Sequence, residues 1–314
     1  MSEAREPGVP GRGPTRQGLP APPPEGASAL PPATYEGRTV LVTGGGTGLG
    51  KAIAAEFARL GADLLLVSRD EGHLAGARAE LAPLGGTVRA AACDIRDPER
   101  IAEVFAGHGT PDVLVNSAAA NFPVPAEDMS PNAWRAVVDI TLTGTWFMTR
   151  EFGRRHLAAG TPGSVICVGA SYAWTGGPGF AHSSAAKAGV KNLVETLAVE
   201  WGPYGIQING LVPGLMPHGD MTADIREGLR AAEFGAVPDA LPDLGARQPA
   251  LRVGLPRELG WAAAFLASPY ARYITGHTLV VDGANWQRRG VVGPPVVTVR
   301  EQLGRGPFRY EGSA

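Results

Sequence analysis

The chain has little cysteine, little lysine, no surplus of charge of either sign and no long apolar run. Its two cysteines, Cys93 and Cys167, sit in apolar stretches without metal-ligand spacing. That speaks for two buried thiols in a reducing compartment and against a disulfide framework or a metal site. Lysine occurs only at Lys51, Lys187 and Lys191, so each one can be asked what it does. A formal net charge of −2 over 314 residues leaves no broad basic field for nucleic acid. No apolar run approaches the roughly 18 residues of a membrane-spanning helix. The opening residues lack the apolar stretch of a secretory signal, and Glu3, Glu6 and the prolines around them oppose a basic amphipathic presequence. The expectation is a cytoplasmic protein with neither a membrane nor nucleic acid as partner.

What the chain does have is glycine, proline and alternation. Pro/Gly-rich residues 1–35 read as a disordered tail, and residues 287–314 as a second, C-terminal tail. Between them, over residues 36–286, short apolar runs alternate with helical patterns. This is the signature of one α/β domain, a Rossmann-type doubly wound parallel sheet with helices on both faces. Strands are expected at Thr39–Thr43, Asp63–Ser68, Thr87–Ala92, Val113–Asn116, Ser164–Val168, Ile206–Val212 and Thr278–Val281. The run Leu64-Leu65-Leu66-Val67 suits a strand buried on both faces. Helices are expected at Gly48–Leu60, Glu71–Leu84, Pro98–His108, Ser184–Trp201 and Pro256–Leu266, and a long one after Ser130, with Pro131 in its first turn. Met221–Phe234 reads as a mobile helix over the substrate.

The chemistry begins at Thr43-Gly44-Gly45-Gly46-Thr47-Gly48-Leu49-Gly50, which follows a strand and opens a helix. Glycine at Gly44, Gly48 and Gly50 lets a pyrophosphate approach the backbone, while the helix N-terminus offers N–H groups and a favourable dipole. No Gly-Lys-Ser/Thr follows, so a mononucleotide P-loop is excluded. The second strand ends in Ser68-Arg69 where an acidic residue would select NAD. Arg69 can pair with a 2′-phosphate, and Asp70 suits the start of the next helix, so the expected cofactor is NADP(H). Asp94-Ile95, after the third strand, could flank the adenine.

These residues resemble the short-chain dehydrogenase/reductase superfamily over about Gly37 to Gly283. The glycine turn, Asn116-Ser117-Ala118-Ala119, Asn209, Pro213-Gly214 and Asp282-Gly283 all follow its pattern in order. The resemblance implies that Asn116, Pro213 and Gly214 border the cofactor, that Lys187 holds it, and that the assembly is a homotetramer. The superfamily's usual catalytic Tyr, four residues before the Lys, is here Ser183; its Ser is Ala170 and its helix Asn is Thr141. An ordinary alcohol dehydrogenase is therefore disfavoured, because no phenol stands at that position to protonate a carbonyl oxygen.

One branch shares these departures. The chain is similar to NADPH-dependent 2,4-dienoyl-CoA reductases, most densely in Ala119-Ala120-Asn121-Phe122, Ser130-Pro131-Asn132-Ala133-Trp134 and Ser184–Val190. That resemblance implies an acyl-CoA-like substrate and places the catalytic Tyr on the loop after the fifth strand, at Tyr172, with Asn121 and Ser183 beside it. Donors aimed at a thioester oxygen suit a dienolate, and Lys187 is expected to lower the pKa of the Tyr. His218 stands near the place of a Thr that meets the nicotinamide carboxamide, and Arg247 and Arg252 match basic positions that could meet CoA phosphates. A trans-2-enoyl-CoA reductase and a non-catalytic NADP(H)-binding homologue remain as alternatives.

Overall fold

The computed structural model describes residues 17–219, 245, 248–287 and 298–305. Among these, seven strands form one sheet: β1 (Thr39–Thr43), β2 (Asp63–Ser68), β3 (Val88–Ala92), β4 (Val113–Asn116), β5 (Gly163–Val168), β6 (Ile206–Pro213) and β7 (Thr278–Val281). The spatial order is β3-β2-β1-β4-β5-β6-β7. Every pairing is parallel. The order reverses between β1 and β4, and in open parallel sheets a crevice for ligands opens at such a point, beyond the carboxyl ends of the strands.

Period-two alternation within the strands divides the core in two. Val40, Val42, Leu64 and Leu66 face α1 (Gly48–Arg59) and α2 (Glu71–Leu81). Leu41, Leu65 and Val67 face the other layer, built on α3 (Pro98–His108), α5 (Gly144–Ala159) and α7 (Ala181–Trp201). A strand buried on both sides must be apolar at every position, which is why β2 reads as a continuous run. The first layer is completed by α8 (Pro256–Ala267). Gly260 lets it approach α1 closely, since a Cβ there would lie 3.1 Å from the Ala52 carbonyl oxygen.

Helix starts follow local chemistry. Asp97 accepts from the N–H groups of Glu99 and Arg100 at 3.0 Å, with Pro98 in the first turn. Ser130 accepts from Ala133 N at 3.1 Å. These caps satisfy N–H groups that have no partner within the helix. The long helix after Ser130 is interrupted once: α4 (Pro131–Val138) passes through a π-helical turn at Asp139–Thr143 before α5 continues. Such turns often mark functional sites, and this one carries Thr141. Asn209 is structural, its amide donating to Ile274 O at 2.6 Å and its oxygen accepting from His277 N at 3.1 Å.

From Gln17 onward the expected N-terminal tail departs from its composition, because it lies along the domain. Leu19 N donates to Ala250 O at 2.9 Å, Arg257 donates to Pro23 O at 2.9 Å and Trp261 Nε1 to Ala27 O at 2.9 Å. Prolines here leave carbonyls without a competing N–H, and side chains of α8 collect them. Tyr35 is buried, and its hydroxyl donates to Ala264 O at 2.6 Å. Part of the expected C-terminal tail also forms structure, a one-turn α9 (Val299–Gln302) closed by a Thr298/Glu301 capping box. The helix expected at Met221–Phe234 lies outside the described residues. Among the described residues, no helix is long and apolar enough to cross a membrane.

Candidate active site

The glycine turn sits at the point where the strand order reverses. Thr43 is fully buried, and its hydroxyl donates to Val115 O while accepting from the N–H groups of Ser117 and Ala118, both at 3.1 Å. That side chain therefore braces β1 against the loop after β4; it does not face the crevice as a cofactor contact. Gly44 has φ +66°, and a Cβ there would lie 3.0 Å from the Ala118 backbone. A Cβ on Gly50 would overlap the Gly44 carbonyl oxygen. Helix α1 begins at Thr47 with no side-chain cap and no acidic residue in its first turn. A close-packed glycine cradle opening on a helix N-terminus fits a pyrophosphate. Leu49 packs partly into the core, and the ring of His218 lies against Gly48, 3.0 Å from where its Cβ would be. His218 thus sits at the phosphate turn.

Around this cradle the other expected cofactor residues divide. Asp70 caps α2, accepting from His73 N at 2.8 Å, which leaves exposed Arg69 as the side chain offered at the end of β2 beside Ser68. The Asp94 carboxylate is bound by Arg96 at 2.6 Å, and this pairing holds its pKa below the usual carboxylate range. Ile95 is buried against Gly144. Asn116 is also buried; its amide nitrogen donates to Thr149 Oγ1 at 2.9 Å. Pro213 ends β6, and Gly214 N donates to Val281 O at 2.9 Å. Arg252 is spent elsewhere, in a two-point ion pair with Glu258 at 2.8 Å on both arms. Its guanidinium is not offered to a CoA phosphate; Arg247 lies outside the described residues.

The expected catalytic group does assemble. Tyr172 opens α6 (Tyr172–Thr175) directly after β5. Its Oη lies 3.0 Å from Ser183 Oγ and accepts from Asn121 Nδ2 at 3.4 Å. Its ring stacks on Phe180, with centroids 6.2 Å apart and planes at 6°. Burial raises the Tyr172 pKa, and the bond to Ser183 only partly opposes this. The phenol is neutral at physiological pH, as a donor to an oxyanion must be.

Lys187 differs from the expectation. It is buried and donates to Val168 O at 2.6 Å. Among the described residues no hydrogen bond joins it to Tyr172, and it does not lower that phenol's pKa. Desolvation pushes Lys187 itself down to about 8. The folded protein therefore binds this proton more weakly than the unfolded chain, and folding carries a penalty at low pH. The penalty is full below about pH 8 and fades as pH climbs to the ordinary lysine value. Without cofactor, the stability of Lys187→Met relative to wild type should fall by about 3 kcal/mol from pH 7 to pH 10.5. Denaturant titrations at both pH values would check this; a constant difference would contradict it.

One residue of the site, His182, escapes a reading of the sequence, and the sequence gives Thr141 its place but not its partner. His182 is fully buried, its Nδ1 accepting from Ser183 N at 2.7 Å and its ring edge-on to Phe122 at 4.7 Å and 82°. Burial keeps the ring neutral by lowering its pKa. It joins the residue after Asn121 to Ser183. Thr141, in the π turn, replaces the superfamily Asn and turns its hydroxyl to the Ala120 backbone, accepting from N at 3.3 Å. A histidine directly before Ser183 is the only local signal that could have pointed to the first of these.

Comparison with known proteins gives the family. The family model described as enoyl-(acyl carrier protein) reductase matches residues 44–284. The chain belongs to the short-chain dehydrogenase/reductase family and is an oxidoreductase using a nicotinamide cofactor. A Bacillus subtilis protein named Probable 2,4-dienoyl-CoA reductase is 37% identical over 256 residues, covering 80% of this chain and 97% of that protein. A short chain dehydrogenase structure from Bacillus anthracis is 34% identical with a TM-score of 0.67, covering 79% and 96%. A Beutenbergia cavernae structure named for gluconate 5-dehydrogenase, with NADP at low occupancy, is 36% identical with a TM-score of 0.72, covering 82% and 99%.

Proposed function

We propose that this protein reduces a 2,4-dienoyl-CoA thioester with NADPH, probed most directly through Tyr172, Asn121 and Ser183. The observation that carries this reading is the half-buried Tyr172 hydroxyl held between Ser183 Oγ at 3.0 Å and Asn121 Nδ2 at 3.4 Å, where the family's usual Tyr is absent. The B. subtilis relative, named for this activity, supports it. Ser68 and Arg69, with Asp70 engaged as a helix cap, support NADPH over NADH. A homotetramer belongs to the same proposal.

Bound NADPH would supply a hydride to the far end of the conjugated system. Charge then collects on the thioester oxygen. Asn121 donates to Tyr172 Oη, so the phenolic hydrogen remains to be aimed outward at that oxygen. Ser183 can donate to Oη as well, and each bond to the phenol oxygen makes its hydrogen a better donor. Lys187, Gly44, Gly48 and Gly50 would hold the dinucleotide.

The description of the matching family model favours one other reading, reduction of a 2-enoyl thioester. Oxidation of NADPH and of NADH should be followed with a 2,4-dienoyl-CoA, a 2-enoyl-CoA and a simple ketone. The dienoyl thioester with NADPH should turn over fastest, by at least tenfold. Turnover of the enoyl thioester alone would select the second reading, and folded, NADPH-saturated protein inert to all three would leave a binding protein.

A further inference from the structure

Part of the C-terminal region, beyond the stretch matched by the family model at residues 44–284, is built onto the two loops that carry Tyr172 and Asn121. Trp286 stacks on Trp174, two residues from Tyr172, with centroids 5.4 Å apart and planes at 26°. Further on, Val299 lies against Gly179; a Cβ there would stand 3.3 Å from Val299 Cγ1, and Gly179 has φ +82°. Arg300 Nη1 donates to Asp128 Oδ1 at 2.8 Å and to Glu127 Oε1 at 3.3 Å, while Arg305 Nη1 donates to Asp128 Oδ2 at 2.6 Å. Both oxygens of one carboxylate are thus occupied by two arginines of the same short segment.

The anchor points are not scattered. Asp128 ends the short turn (Ala126–Asp128) that closes the segment carrying Asn121, and Gly179 lies in the loop that follows α6, the helix Tyr172 opens. The two loops also bond to each other, Val124 N donating to Gly179 O at 2.8 Å. We propose that residues 298–305 act as a strap that positions the donor pair, pinning Asp128 and Gly179 together so that Asn121 Nδ2 and Tyr172 Oη stay in register. Arg300, Arg305 and Asp128 are positioning residues for the reduction, and this inference rests on the reading of Tyr172 and Asn121 as its donors.

Energetics separate positioning from mere stability. Arg305 and Asp128 are partly exposed, and ion pairs of that kind add little to global stability. A displacement of about 1 Å between reacting groups, in contrast, can cost on the order of 100-fold in rate. The strap should therefore register in kcat far more than in melting temperature or cofactor affinity.

The test is charge reversal with rescue in the full chain. Asp128→Arg should lower kcat on a 2,4-dienoyl-CoA at least tenfold, with melting temperature and NADPH affinity near wild type. Adding Arg300→Asp and Arg305→Asp should recover most of that loss. Independently of activity, amide hydrogen exchange over residues 121–128 and 172–180 should accelerate in Asp128→Arg and slow again in the triple variant. The milder pair Arg300→Ala and Arg305→Ala should move both readouts the same way. Unchanged exchange in Asp128→Arg, or a kcat loss that reversal does not recover, would overturn the strap. A wild type inert to thioesters would instead sink the proposed activity, and the exchange data would still judge the strap.

Discussion

Tyr172→Phe should lower kcat on a 2,4-dienoyl-CoA by a factor of about 10² to 10⁴, the usual contribution of a positioned acid, while NADPH binding stays within about twofold. The substitution keeps the ring and its stacking on Phe180, and removes only the oxygen held by Asn121 and Ser183. Its effect therefore isolates proton donation from packing. Asn121→Ala should cost up to roughly 10² to 10³, the scale of losing one oxyanion donor, because it frees the phenol whose hydrogen Asn121 aims. The pH dependence follows from burial: the Tyr172 pKa is raised, so the alkaline fall of kcat belonging to this phenol should lie above that of an ordinary tyrosine. Stopped-flow measurement of NADPH oxidation under single-turnover conditions reads the step directly. Full activity in Tyr172→Phe would show that another group supplies the proton.

Gly50→Ala should raise the NADPH Kd at least tenfold and lower the melting temperature of the cofactor-free protein. The added methyl would overlap the Gly44 carbonyl oxygen and stand 2.9 Å from the Gly44 carbonyl carbon. Both are backbone atoms, so no rotamer change relieves the contact; α1 must move away from the turn it stabilises. Overpacking of this kind costs about 1–3 kcal/mol, and in a domain of this size each kcal/mol shifts Tm by about 2–4 °C. Gly76→Ala is the control, because a Cβ there meets nothing within 4 Å. It should be neutral or slightly stabilising, since Ala favours a helix over Gly by about 1 kcal/mol. Calorimetric titration of both variants with NADPH separates them, and equal affinities would show that the turn tolerates a side chain.

The strands and helix starts were legible because their causes are local. β2 announces itself by four consecutive apolar residues, and Asp97-Pro98 and Ser130-Pro131 each place a cap and a first-turn proline side by side. The phosphate cradle was equally legible from Gly44, Gly48 and Gly50. The meeting of Asn121 with Tyr172 was not: 51 residues separate them, and only the family resemblance brought them together. Composition misjudged residues 17–35, since a proline-rich sequence says nothing of the Arg257 and Trp261 side chains, 234 positions further on, that collect its carbonyls. Lys187 shows the opposite case, a residue the motif singles out whose bond to Val168 O no motif foretells.

The threonines behind the site carry a consequence of their own. Thr149 Oγ1 donates to Thr145 O at 2.7 Å, and Thr145 Oγ1 donates to Thr141 O at 2.8 Å. Each hydroxyl hydrogen ends on a carbonyl, which has no proton to hand onward. This ladder is an insulator, not a wire. The Thr141 hydroxyl likewise turns to the Ala120 backbone, so among the described residues these three threonines pass no proton toward Tyr172.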